Sequence, residues 1–215
     1  MKEKLVIWGA GSHALVVADI IRLRDQFEIA GFLDNVNPER ARTEFCGASI
    51  WGGEEQLDDL LQRGVEHLIC AITNNRVRLQ LSELARAKGF HLATAIHPQS
   101  TIANGVPIGA GTVIAAGSVV NPGARLGENV VIFTCASVDH ECTIEDGAWI
   151  NAGVHLGGRV IVERAATVEI GATVAGRMRI GADSVVGAGS VVLHNIPDHV
   201  LAYGTPARVI RQIVG

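Results

Sequence analysis

From Ile102 onward an aliphatic residue returns every six positions: Ile102, Ile108, Ile114, Val120, Leu126, Ile132, Val138, Ile144, Ile150, Leu156, Val162, Val168, Val174, Ile180, Val186 and Val192. A period of six matches neither the 3.6 of an α-helix nor the 2.0 of an alternating strand. It matches a short strand followed by a corner. Three hexads then close one coil of a prism, and eighteen residues along the chain lead to the same face one coil up. Four residues after most of these aliphatics stands a small one, as at Thr112, Ser118, Ala124, Ala136, Cys142, Ala148, Ala166, Ala172, Ser184 and Ser190. The aliphatic residue is expected to point into the interior and the small one to let the wall turn. Glycine fills the second hexad position at Gly109, Gly127, Gly157, Gly181 and Gly187, where permissive backbone is expected at a tight corner. Successive coils should stack at about the 4.8 Å spacing of paired strands.

Before the repeats the pattern changes to alternating strands and helices. Residues 4–8 read as a strand, and Gly9-Ala10-Gly11-Ser12-His13 turns into an apolar-periodic helix ending near Arg24. Strands are expected over 29–34, 67–73 and 91–96, with helices over 53–63 and 75–88. Such alternation argues a parallel sheet with helices on its faces. Ligands of these sheets sit outside the carboxyl ends of the strands, where Gly11, Asp34 and Asn74 all fall. Gly9-x-Gly11-x-x-Ala14 is close to the dinucleotide fingerprint, and Asp34 follows at about the distance of a ribose-binding acid. Only half of a dinucleotide fold fits before the repeats, which disfavours a nicotinamide enzyme. A phosphate or ribose contact to a mononucleotide is the better reading, set against a bare strand-to-helix turn with no ligand.

Composition removes several other classes. With 18 basic against 22 acidic side chains the formal charge is -4, which supplies no basic stripe for nucleic acid. No window holds the 18 or so apolar residues of a membrane span. The start MKEKLVIWGAG runs into a strand and a glycine turn rather than a signal sequence, so a cytoplasmic location is expected. Cys46, Cys70, Cys135 and Cys142 show no CxxC spacing and are expected as reduced, buried thiols, with neither a disulfide nor a zinc site.

The segments GAGSHA, FLDN, AITNN, AIHP, VDHEC and YGTPAR follow one another in a specific order. In that order they resemble the bacterial nucleotide-sugar N-acetyltransferases of the PglD/PerB/NeuD-like family, within the hexapeptide-repeat acyltransferases, over essentially the whole chain. The resemblance implies an α/β + β architecture. A Rossmann-like parallel α/β domain that holds the nucleotide sugar (1–97) precedes a left-handed parallel β-helix that holds acetyl-CoA (98–215). It implies N-acetylation of a UDP-, GDP- or dTDP-linked amino-dideoxy sugar, a 4-amino sugar being the expected acceptor. The co-substrate is acetyl-CoA, no metal is used, and the sites lie between the β-helices of a homotrimer. Lipopolysaccharide or other glycan biosynthesis is the setting it suggests.

Matched residue by residue, the histidine of the family's H-[DE]-C motif falls on His140, with Glu141 as its acidic neighbour. An amine attacking a thioester must shed a proton, and imidazole accepts one at neutral pH. A carboxylate would fix the tautomer; Glu141 and Asp139 compete for that role. Coil arithmetic puts Gly158 directly above His140, where a glycine is expected to leave room for the pantetheine arm and to offer its N–H to the thioester oxygen. Cys142, two residues from His140, occupies a small inward position and is not expected to act as nucleophile, so direct transfer is favoured. For CoA the resemblance implies a groove along the later coils, with Trp149, His155, Gly158, Ala188 and Arg208 as contacts. Arg208, in Gly204-Thr205-Pro206-Ala207-Arg208, either pairs with a CoA phosphate or only fixes the C-terminal segment. Gly11, Ser12, His13, Asp34, Asn74 and Asn75 match the nucleotide-sugar segments.

Three residues depart from the pattern: Phe133 where many relatives carry Asn, Trp149 where a smaller or polar residue is common, and Thr73 where Gly is common. They bear on the sugar rather than the reaction. Two rivals remain: within acyl transfer, a sugar O-acetyltransferase of the sialic-acid type, and outside it, a non-catalytic nucleotide-sugar-binding protein. A β-helical zinc anhydrase is disfavoured. His194 and His199 lie after the last coil, and the position two coils earlier is Gly158.

Overall fold

The computed structural model describes residues 2–213, which fall into two compact units dividing between Pro98 and Gln99. In the first, β1 (Glu3–Trp8) is central, and its Leu5–Trp8 run is buried on both faces, as the middle strand of a parallel sheet requires. It is followed by α1 (Ser12–Arg24), β2 (Phe27–Leu33), β3 (Glu44–Phe45), β4 (Ala48–Gly52), α2 (Leu57–Gln62), β5 (His67–Cys70), α3 (Asn75–Lys88) and β6 (His91–Leu92). The sheet order is β3-β4-β2-β1-β5-β6, parallel except for the β3–β4 hairpin. Trp8, Leu33, Leu57, Leu60, Leu68 and Phe90 pack together as one core.

Some boundaries differ from expectation for local reasons. β4 escaped the sequence because Ala-Ser-Ile-Trp-Gly lacks alternation, and Ile50 is the wholly buried anchor of the strand. The helix expected over 53–63 is a 3₁₀ turn at Glu54–Gln56 running into α2. The strand expected over 91–96 ends at Leu92, and Ala95–Ile96 is a separate two-residue strand of a different sheet. Only two of the four cysteines, Cys70 and Cys142, are buried; Cys46 is half-buried and Cys135 exposed. Both of the latter occupy turns at positive φ, so their side chains leave the core.

The second unit is a left-handed parallel β-helix. Two-residue strands stack in three columns. One column runs from Thr101–Ile102 through Ser137–Val138 and His155–Leu156 to Val191–Val192. The second runs from Arg125–Leu126 to Arg179–Ile180. The third climbs from Val113–Ile114 past Trp149–Ile150 to the antiparallel pair Val200–Gly204 and Ala207–Gln212. Partners along the columns are eighteen residues apart, as Ser137 pairs with His155 and His155 with Thr173, except at the end of the third, where Val185 pairs with Leu201. The aliphatic series from Ile114 to Val192 is buried throughout, while Ile102 and Ile108, which begin it, are half-buried.

The corner chemistry corrects one expectation. Left-handed backbone recurs every sixth residue, but two positions after the predicted glycines, at Gly111, Gly117, Gly123, Asn129, Cys135, Glu141, Gly147 and onward. The second-position glycines are required by close approach instead. A Cβ on Gly109 would lie 2.4 Å from the Gly127 carbonyl carbon, and one on Gly157 2.7 Å from the Gly176 nitrogen. The small residues do more than let the wall turn: Thr112, Ser118 and Ser184 donate their hydroxyls to carbonyls of the next coil. Among the described residues no helix is long and apolar enough to cross a membrane.

Candidate active site

His140 stands on the corner between the first and second strand columns, immediately after Ser137–Val138 and before Thr143–Ile144. Its ring is exposed. Glu141 Oε2 lies 3.0 Å from His140 Nδ1. Asp139 turns the other way, accepting the His140 backbone N–H at 2.7 Å and Asn121 Nδ2 at 2.9 Å. Of the two rival carboxylates, Glu141 therefore meets the ring, and Asp139 fixes the backbone beneath it.

Glu141 is itself held by Arg159, one coil above, whose Nε and Nη2 reach Oε2 at 3.0 and 2.9 Å. These hydrogen bonds, from Arg159 first and then His140, hold the Glu141 carboxyl below its usual pKa. Asp139 is likewise lowered, by the His140 N–H and then Asn121. Both stay ionised at neutral pH. Glu141 adopts φ 57°, a conformation that costs a non-glycine residue about 1 kcal/mol. His140 and Arg159 both meet its Oε2 while its backbone holds that shape.

Gly158 sits directly over His140, but not as an open space. A Cβ there would lie 2.4 Å from His140 Nε2, 2.6 Å from Cε1 and 3.0 Å from Cδ2. The room expected for pantetheine is occupied by the imidazole itself. The Gly158 carbonyl accepts from Arg177, and among the described residues no acceptor is paired with its N–H. Cys142 is buried and donates its thiol to the Gly157 carbonyl at 3.2 Å, and burial pushes its pKa up. It is a structural thiol.

His155 is exposed, with Nδ1 2.8 Å from Ser137 Oγ on the same column. Trp149 is 8% exposed and stacks on Phe133 at 5.7 Å and 20°. Two of the departures are thus one aromatic pair, and Trp149 offers little surface to a CoA. Ala188 is exposed at a corner. Arg208 is exposed and donates to the adjoining Ala207 carbonyl at 2.9 Å.

In the α/β unit a cavity of about 470 Å³ opens at the carboxyl ends of the strands. Gly11, Ser12, His13 and Asp34 line it, together with Trp8, Asn35, Asn37, Arg40 and Thr73. Gly11 is the N-cap of α1 and brings no capping side chain, so the first-turn N–H groups line a cavity without a side-chain acceptor. His13 is buried, and burial, followed by the Arg78 charge, takes its imidazole down to about 3. It is neutral near pH 7. Burial works to raise the Asp34 carboxyl, but hydrogen bonds from Asn37 and Val36 and the Arg40 charge outweigh it, leaving the net value below the usual one.

Asn74 and Asn75 are not among the residues lining the cavity. The Asn74 side chain accepts the Val77 N–H at 3.1 Å and caps α3. Asn75 Oδ1 accepts Arg78 Nη2 at 3.0 Å, while Arg78 Nη1 donates to the Ile72 carbonyl at 2.9 Å. Helix capping and a wholly buried arginine account for this pair. Sequence reasoning missed Arg40, Arg78, Arg159 and Asn121. The eighteen-residue step points to the last two, from Glu141 and Asp139. Nothing in the sequence marks the first two. Among the described residues no group of three or more His, Cys, Asp or Glu is arranged to hold a metal ion.

Comparison with known proteins gives consistent likenesses. The model of the PglD N-terminal domain matches residues 4–85. The structure superposes on PerB from Caulobacter crescentus, solved with CoA and GDP-perosamine, with a TM-score of 0.92, 35% identity and 97% of each chain covered. It superposes on the acetyltransferase domain of PglB from Neisseria gonorrhoeae, solved with acetyl coenzyme A, with a TM-score of 0.90 and 33% identity, covering 98% of this chain and 100% of that one. The UDP-N-acetylbacillosamine N-acetyltransferase of Bacillus subtilis is 35% identical over 113 residues, 52% of this chain and 50% of that enzyme. The chain spans about half or less of the length of the curated relatives it matches.

Proposed function

Because this chain belongs to the PglD/PerB-like family of bacterial acetyltransferases, we propose that it transfers the acetyl group of acetyl-CoA to the amino group of a nucleotide-linked amino sugar. The observation that carries the reading is the His140–Glu141 pair, with Nδ1 and Oε2 3.0 Å apart and Nε2 over Gly158. If Nδ1 keeps its proton for Glu141, Nε2 is the free acceptor. The amine attacks the thioester carbonyl carbon and gives its proton to Nε2. Negative charge develops on the carbonyl oxygen, which the Gly158 N–H, one coil above the base and without an acceptor among the described residues, would stabilise. The C–S bond then breaks, CoA leaves as the thiolate, and the imidazolium returns the proton to it. Glu141 stabilises the imidazolium in between. Cys142, protonated and buried, has no part, so no acyl-enzyme forms.

The donor-lined cavity of the α/β unit takes the nucleotide, and acetyl-CoA lies along the later coils of the β-helix. We infer a homotrimer in which a neighbouring β-helix completes each His140 corner, and a cytoplasmic protein that meets both substrates where they are made. CoA release from acetyl-CoA against UDP-, GDP- and dTDP-linked 4-amino sugars tests the reading, run beside His140→Ala. Turnover on one amino sugar, lost in the variant, is the expected result. Turnover on hydroxyl sugars alone moves the reaction to O-acetylation, and no turnover with either class, but retained nucleotide-sugar binding, leaves a binding protein.

A further inference from the structure

Arg40 lines the cavity of the α/β unit and has no part in the chemistry proposed above. It rides on the 3₁₀ turn Pro38–Arg40, between β2 and β3. Its Nη1 donates to the Ala10 carbonyl at 2.9 Å and to Asp34 Oδ2 at 3.2 Å. Its guanidinium carbon lies 5.4 Å from the centre of the Phe45 ring. Three contacts thus fix the plane of the fork and engage one of its three nitrogens. Among the described residues Nε and Nη2 have no protein acceptor.

Asp34, the residue expected to grip a ribose, is already fully engaged. Its Oδ1 accepts the Val36 and Asn37 N–H groups at 2.9 and 3.2 Å, and its Oδ2 accepts Asn37 Nδ2 and Arg40 Nη1, both at 3.2 Å. A carboxylate has about four acceptor sites, so a ribose hydroxyl would have to displace a donor already there. The same cavity is lined by Gly11, Ser12 and the opening of α1. Its one carboxylate is covered, while a cation and several N–H donors remain. That balance suits a ligand rich in anionic oxygen and suits a bare nucleoside poorly.

Resting on the nucleotide-sugar reading, we propose that Arg40 binds the diphosphate of the nucleotide sugar through its unused guanidinium donors, with Asp34 as the positioning residue that holds it. A planar fork held on one edge presents the other edge to phosphate oxygens in the geometry that charge-assisted pairs prefer. The test is calorimetric binding of UDP, GDP and dTDP and their nucleosides to the full chain, with Arg40→Gln, Arg40→Lys, Asp34→Asn and the Asp34→Asn/Arg40→Gln double variant.

For whichever diphosphate the wild type binds, Arg40→Gln should weaken affinity about 10- to 100-fold, and Arg40→Lys by less. Nucleoside affinity should change by less than about twofold, and acetyl-CoA affinity should hold in every variant. Asp34→Asn should weaken the diphosphate alone, and add little on top of Arg40→Gln. Equal losses for nucleoside and diphosphate, or no loss for either, would overturn the assignment of Arg40 while leaving the nucleotide site standing. A wild type that binds none of the three diphosphates would overturn the nucleotide reading and this inference with it.

Discussion

The imidazole of His140 lies against the α-carbon of Gly158, the residue one coil above it, so closely that a Cβ would stand 2.4 Å from Nε2. The three atoms such a Cβ would meet first all belong to that ring, and an exposed side chain gives way more readily than backbone. Gly158→Ala should therefore displace the base and keep the fold. Loss of a general base costs about 10²- to 10⁴-fold in rate, and kcat of Gly158→Ala should fall to near that of His140→Ala, with Tm within about 2 °C of wild type. Steady-state kinetics beside a thermal melt decides it. A Gly158→Ala enzyme with near-normal kcat would mean that the ring's position over Gly158 is immaterial.

Glu141 and Asp139 flank His140, and only Glu141 touches the ring, at 3.0 Å. Glu141→Gln keeps a partner for Nδ1 but removes the charge that stabilises the imidazolium. We expect kcat to fall about 10- to 100-fold with KM nearly unchanged. Asp139→Asn should cost several-fold less, since that side chain accepts the His140 N–H rather than meeting the ring. The reverse order of effects would assign the orienting role to Asp139.

How far the sequence led depended on whether a residue's partner lies at a fixed step along the chain. The β-helix is legible because each buried aliphatic repeats its phase, and the eighteen-residue step brings His140 and Gly158 together on one face. The same step left open what fills the space between them, since a glycine reads alike whether it admits a ligand or a neighbouring ring. In the α/β unit no such ruler exists. Gly11 and His13 stand in one local strand-turn-helix motif, which the sequence displays and which lines the cavity, whereas Arg40 reaches Ala10 across thirty positions. Asn74 caps α3 through its Oδ1, a role the sequence does not distinguish from ligand binding, because both favour the same short polar side chain at a strand's end.

Ser184 ties two coils together inside the β-helix wall. Its hydroxyl donates to the Pro197 carbonyl at 2.6 Å and accepts the Val200 N–H at 3.1 Å, with the side chain fully buried. Ser184→Ala fits the space but leaves both backbone groups without that partner in the interior, a loss of about 1–3 kcal/mol. Urea unfolding should show it as a lowered midpoint at unchanged slope. A neutral result would mean that the wall does not depend on this hydroxyl.

Acid should destabilise the α/β unit through His13. His13 titrates at about 3 in the folded chain against an ordinary value of 6.5, with burial the larger cause and the Arg78 charge the smaller. Between those values the unfolded chain binds a proton that the folded chain refuses, so folding stability falls as pH drops through this window. Well below 6.5 the slope approaches about 1.4 kcal/mol per pH unit, so that about 2 kcal/mol of stability at pH 7 is gone by pH 5. His13→Gln removes the titration whatever it does to stability at pH 7. The loss between pH 7 and pH 5, measured by urea unfolding, should be smaller in the variant by about 2 kcal/mol. The difference between the two proteins cancels the other histidines, whose environments the substitution leaves alone. Parallel pH dependence in the two would mean that His13 accepts a proton without unfolding, and that it is not held neutral beside Arg78.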